Sequence, residues 1–101
     1  MSTYSFRLYV AGHTERSHAA QMNLRALCEA LFPGRYHVEV IDVTEEPGLA
    51  EEERILATPT VIRVAPPPRQ RVIGDLADRR RTALALGLPE VAASSPQGDA
   101  T

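Results

Sequence analysis

Lysine and tryptophan are both absent from this chain of 101 residues, and cysteine occurs once. Each shortage excludes something. A single thiol, Cys28, cannot close an internal disulfide, so the fold has to rest on a packed core, and a reduced cytoplasmic setting is expected. Without tryptophan, and with aromatics at 5%, there is little material for a platform that stacks single-stranded nucleic acid. The 11 basic residues are all arginines scattered along the chain, and 13 acidic residues leave a net charge of −2. That balance gives no global case for binding nucleic acid. No apolar run approaches the ~20 residues that span a bilayer. Met1 to Ser5 lacks the basic-then-apolar pattern of a secretory signal. What is present is ordinary for one globular domain: 44% hydrophobic and 24% charged, in a chain long enough for a single core.

Hydrophobic periodicity divides the chain into strands and helices. Phe6 to Ala11 alternates, with Phe6, Leu8 and Val10 on one side, and reads as a strand ended by Gly12. Thr14 is a plausible N-cap for a helix with Glu15 in its first turn. Ala20, Leu24, Leu27, Cys28 and Leu31 form its apolar stripe, and Pro33-Gly34 stops it. Tyr36 to Val43 is a second strand, and two strands joined by such a helix predict a right-handed parallel βαβ unit. The acidic stretch from Thr44 to Arg54 predicts a short helix with Pro47 near its first turn and Leu49, Ala50, Ile55 and Leu56 as anchors. Val61 to Val64 is the third strand. Pro66-Pro67-Pro68 is a stiff connector without N–H donors. Gln70 to Ile73 is a fourth strand, antiparallel to the third. Asp75 is expected to cap a last helix from about Leu76 to Leu86, ended by Gly87 and Pro89. A domain over residues 1–89 and a flexible tail over 90–101 follow.

The resulting order, βαβαββα with a proline just before the third strand, is similar to that of thioredoxin-like domains, which implies a mixed four-stranded sheet flanked by helices. Such domains hold a cis proline at the place of Pro59; the other reading is an ordinary trans proline breaking a loop. A redox thioredoxin carries Cys-x-x-Cys after the first strand, at a helix N-terminus that stabilises the thiolate. The matching span here is Thr14-Glu15-Arg16-Ser17, with two hydroxyls in place of two thiols. Cys28, mid-helix on the apolar stripe, reads as a buried structural thiol.

Other chemistry is equally thin. His13, His18 and His37 lack the spacing of a helical zinc site, so no metal is expected. Ser17 and His18, as sequence neighbours, do not face each other on a helix. There is no glycine-rich phosphate loop, and no cofactor is expected. The glutamates from Glu45 to Glu53 read as a solvated face. So do Arg79-Arg80-Arg81, or, with Arg69 and Arg71, they form a basic patch for an acidic protein surface. A scaffold without a reaction centre reads as a binding module.

Several segments together resemble the KaiB family of circadian clock proteins. They are Leu8 to Gly12, Tyr36 with Val40 to Val43, Pro47 with Leu49 to Glu52, Ile55 to Thr60, Pro66 to Pro68, and Ile73 to Leu76. The resemblance implies a non-enzymatic, cytoplasmic partner of the KaiC ATPase, which binds the ring, sequesters KaiA and competes with the KaiB-like domain of a sensor kinase. It also implies a metamorphic fold. The first half stays fixed, and the second half exchanges between the thioredoxin-like state and a ground-state arrangement found in tetramers. Pro59, Gly74, Asp75, Ala85 and Gly87 are the implied positions of that exchange. Leu84, Leu86 and Leu88 alternate as in a strand, although the span is rich in helix formers. Many clock members carry glycine near position 85 and aspartate near 87. Ala85 and Gly87 here favour a helix and its C-cap by ~1 kcal/mol, so the thioredoxin-like monomer is the expected state. Arg54, Arg63, Arg69, Arg71, Arg79 and Arg80 are the expected charge contacts to an acidic ring surface. The tail has only Glu90 and Asp99 where cyanobacterial members carry an acidic run, which fits a divergent paralogue. The alternatives are a thioredoxin-like adaptor outside the clock, on some other ATPase or kinase, and a thiol-peptide-binding protein recognising glutathione beside Pro59.

Overall fold

A computed structural model describes residues 3–89; the tail expected over 90–101 lies outside the described residues. The elements follow the expected order: β1 (Tyr4–Val10), α1 (Glu15–Leu31), β2 (Tyr36–Asp42), α2 (Pro47–Glu52), β3 (Thr60–Ala65), β4 (Gln70–Ile73) and α3 (Arg79–Ala85). They build one four-stranded sheet in the order β2-β1-β3-β4. β1 pairs parallel to β2, with Leu8 opposite Val40, and antiparallel to β3, with Leu8 opposite Val61. β4 closes an antiparallel hairpin on β3.

Side-chain alternation sends the two faces of this sheet into two unequal layers. Phe6, Leu8 and Val10 point to the face covered by α1 and α3, where they pack with Leu24, Leu27, Cys28, Val61, Ala83 and Leu86. Tyr9, Ile41 and Ile62 point the other way and form a small second cluster against Leu49 of α2 and Ile55. The stripe read from the sequence of α1 is the buried one: Ala20, Leu24, Leu27 and Cys28 are all 0–1% exposed. Thr14 caps the helix, its Oγ1 accepting from the Ser17 N–H at 3.0 Å.

The last helix starts later than its sequence predicts. Asp75 does not cap it. Its carboxylate accepts from the Ala77 N–H at 3.1 Å in a local turn, and Leu76 takes a left-handed φ of 64° that ends any helical path. That conformation costs an L-residue ~1–2 kcal/mol, and it is offset by burial of the Leu76 side chain in the main core. Asp78, three residues on, is the actual cap, accepting from the Arg81 N–H at 3.0 Å.

β2 ends at Asp42, whose carboxylate ties three segments together. Oδ1 accepts from the Thr44 hydroxyl at 2.7 Å, the Thr44 N–H at 2.9 Å and the Gly12 N–H at 3.1 Å. These donors, those of Thr44 first, hold the carboxyl below the ordinary aspartate value of about 3.8. A depressed native pKa means that the ionised form stabilises the fold. That contribution is present above the ordinary aspartate range and is lost as pH falls through the lowered native value. Asp42→Asn is therefore expected to flatten the acid limb of a Tm-against-pH curve. An unaltered limb in that variant would reject the assignment.

Candidate partner-binding surface

The position of a thioredoxin-type reaction centre is occupied by capping chemistry. At the start of α1 the Thr14 hydroxyl donates to Ser17 Oγ at 2.9 Å while accepting the Ser17 N–H, so both hydroxyls are engaged with each other and the helix end. A depression of about 370 Å³ lies over them, lined by Gly12, His13, Glu15 and His18. The single thiol sits elsewhere. Cys28 is fully buried, and desolvation pushes it up to about 12, so it is a protonated thiol at neutral pH. Among the described residues, no three His, Cys, Asp or Glu side chains converge as metal ligands would. Nor is any helix of the described residues long and apolar enough to cross a membrane.

The arginines expected to meet a partner fall into three situations. Arg54, Arg69 and Arg71 are brought together where α2 meets the β3–β4 hairpin. Glu53 is the centre of this group. It accepts two hydrogen bonds from Arg69, at 3.3 and 3.2 Å, and lies 3.7 Å from Arg71. Arg71 also donates to the Glu53 carbonyl at 2.9 Å and reaches the Arg54 carbonyl at 3.5 Å. These side chains therefore staple the end of α2 to β4, and their charge is partly spent at home. Arg54 is exposed, on a turn with φ 55°. Arg79 and Arg80 are exposed on the first turn of α3, and neither is in an ion pair among the described residues.

Arg63 is in a different situation altogether. It is 6% exposed, on the core face of β3 beside Val61. Its guanidinium donates to backbone carbonyls and stands 5.2 Å over the Tyr4 ring. The expected role as a surface contact does not suit a side chain held in the interior. The signal was available in the alternation: Arg63 has the parity of Val61, and Val61 faces the core.

The positions expected to govern an exchange of folds lie along one path. The Thr58–Pro59 bond is cis, and the Pro59 carbonyl accepts from the Gly74 N–H at 2.9 Å. The Asp75 carbonyl accepts from Asn23 of α1 at 2.8 Å. Ala85 is the last residue of α3, and Gly87 follows with φ 67°. Glycine is required there because the turn is a Schellman motif: the Leu88 N–H bonds back to Ala83 at 2.8 Å and the Gly87 N–H to Leu84 at 3.1 Å. Gly87 therefore has the C-capping role that its sequence position predicts. A groove of about 380 Å³ runs beside this path, lined by Arg16, Ile73, Leu76, Arg81 and Ala85.

This geometry is that of a thioredoxin scaffold without thiol chemistry, and comparison with known proteins gives it a family. The KaiB domain family matches residues 7–88. The chain belongs to the KaiB family. Among its relatives, the circadian clock oscillator protein KaiB of Synechococcus sp. (strain RCC307) is 51% identical over 86 residues, covering 85% of this chain and 78% of the relative. That of Prochlorococcus marinus (strain MIT 9312) is 50% identical, with 85% and 82% covered. Of solved structures, the N-terminal domain of Synechococcus elongatus SasA aligns with a TM-score of 0.65 at 24% identity, covering 83% of this chain and 81% of that one. Mitochondrial thioredoxin 3 of Saccharomyces cerevisiae aligns at 0.64 and 22%, covering 87% and 78%. The two structural likenesses fix the fold as thioredoxin-like. The sequence relatives place this KaiB-family chain among clock proteins.

Proposed function

We propose that this KaiB-family chain is a non-enzymatic clock protein that binds a KaiC-type ATPase ring and modulates its phosphorylation cycle and output. KaiA and the KaiB-like domain of a sensor kinase are its other clock partners, the second as a competitor for the ring. The observation that carries the reading is the pairing of close KaiB relatives with a thioredoxin-like arrangement shared with the SasA domain. The helix end that would hold a reactive thiol carries Thr14 and Ser17 instead, which supports a binding role over a catalytic one. The state described here is proposed to be the binding-competent one, present as a monomer, in exchange with a tetrameric ground-state arrangement of the second half. Pro59, Gly74, Asp75, Ala85 and Gly87 mark the part that rearranges.

Pulldown on KaiC tests this. The intact chain is expected to be retained, and Arg54→Glu is expected to weaken retention several-fold. Absence of binding by the intact chain would defeat the proposal.

A further inference from the structure

Arg63 is a buried cation with no carboxylate partner among the described residues. Its charge is answered by the backbone and one ring. Nη1 donates to the Leu86 carbonyl at 2.8 Å and the Gly87 carbonyl at 3.0 Å. Nε donates to the Pro66 carbonyl at 2.9 Å, and Nη2 reaches the Pro67 carbonyl at 3.5 Å. One side chain on β3 therefore binds both the triproline connector and the C-terminal turn of α3. The Leu86 and Gly87 carbonyls lie at the negative end of the helix, where a cation is favourable, and they are among the groups a helix end leaves without intrahelical partners.

The rest of α3 is weakly self-sufficient. It has seven residues, well below the ~12–15 at which an isolated helix becomes even marginal. Its first turn carries Arg79, Arg80 and Arg81 against the positive end of its dipole. Gly87 is fitted to the guanidinium: a Cβ there would lie 2.9 Å from Arg63 Nη1. Both helices have their own N-caps, Thr14 for α1 and Asp78 for α3, but α1 is 17 residues long and has the length that α3 lacks.

We propose that Arg63 is a latch: while engaged it fastens α3 and its closing turn to β3, and its release frees that helix as a unit while β1, α1 and β2 stay folded. The latch deepens the proposed exchange of the second half and rests on that reading for its purpose. Its test needs no partner, so failure of the latch and failure of KaiC binding are separate results.

The test is native-state hydrogen exchange on the full chain, followed by NMR. The Leu86 and Leu88 amides, bonded to Thr82 and Ala83, report on α3, and those of Leu24 and Leu27 report on α1. Arg63→Met keeps length and apolar contact with Tyr4 but removes every donor. It is expected to speed exchange at Leu86 and Leu88 at least tenfold beyond any change at Leu24 and Leu27. Equal acceleration at both sets, or none at Leu86 and Leu88, would overturn the proposal. Should the methionine variant not fold, Arg63→Lys decides in the same way. Its ammonium lacks the fixed fork of the guanidinium and is expected to give up part of the Pro66 and Leu86–Gly87 set. A selective rise of at least threefold at α3 supports the latch, and a uniform rise or no rise overturns it.

Discussion

Leu8→Ala is expected to destabilise the fold by about 2–5 kcal/mol, because a leucine deleted from a core leaves both a lost transfer term and a cavity. Leu8 is 0% exposed at the middle of the central strand, with Val40 and Val61 as its cross-strand neighbours and α1 packed above it. In a domain near 100 residues this corresponds to a Tm drop of roughly 8 °C or more, and its upper end approaches the ~5 kcal/mol at the low end of the stability such domains possess. Thermal melts by circular dichroism check it. A loss below ~1 kcal/mol would mean that the α1 layer repacks, and that the core is less rigid than its burial indicates.

The double reversal Arg79→Glu, Arg80→Glu is expected to weaken KaiC binding by tenfold or more at low salt, with the deficit shrinking as salt rises. Three arginines in the first turn of α3 oppose the helix dipole, at a cost of roughly 0.3–1 kcal/mol each. Acidic residues there would suit the helix better, so these arginines are not explained by the stability of α3. Unlike Arg69 and Arg71, which Glu53 holds, Arg79 and Arg80 are exposed and in no ion pair among the described residues, so on the proposed reading their charge is open to a partner. Placing glutamate at both positions should leave Tm level or slightly raised while affinity falls, a combination that separates binding from folding. Titration calorimetry at two ionic strengths measures it. Unchanged affinity in the double variant would remove α3 from the contact surface and leave Arg54 as the exposed candidate outside an ion pair among the described residues.

Most of the fold was legible because its punctuation is strong. Gln70 to Ile73 lies between a triproline and Gly74, and the strand has those ends. Thr14, with Glu15 in the first turn, marks the start of α1, and the 3.6-residue stripe marks its buried face. The start of α3 was obscured by two aspartates three apart, Asp75 and Asp78, each able to cap. What decides between them is the left-handed Leu76, a consequence of core packing that no local rule reveals. The site was read less well for the same kind of reason. The parity of Arg63 with Val61 points it at the core, but the layer that satisfies a buried guanidinium is not visible locally. For Arg63 that layer supplies carbonyls from residues 23 and 24 positions away. The holding of Arg69 by Glu53 depends on how the hairpin folds back on α2, a long-range placement between two charged stretches that are separately unremarkable.

The position of β1 at the centre of the sheet has a consequence for synthesis on the ribosome. Its parallel neighbour begins at Tyr36, but its antiparallel neighbour spans Thr60 to Ala65, with Tyr9 opposite Thr60 and Ser5 opposite Ala65. A nascent chain that has emerged only as far as α2 has a βαβ unit whose first strand offers an open edge of unpaired backbone N–H and C=O groups. Closure waits until the chain has been made as far as β3, Thr60 to Ala65. Interruptions between Glu53 and Ala65 should therefore give the most aggregation-prone fragments, and the strand translated first is among the last to be enclosed.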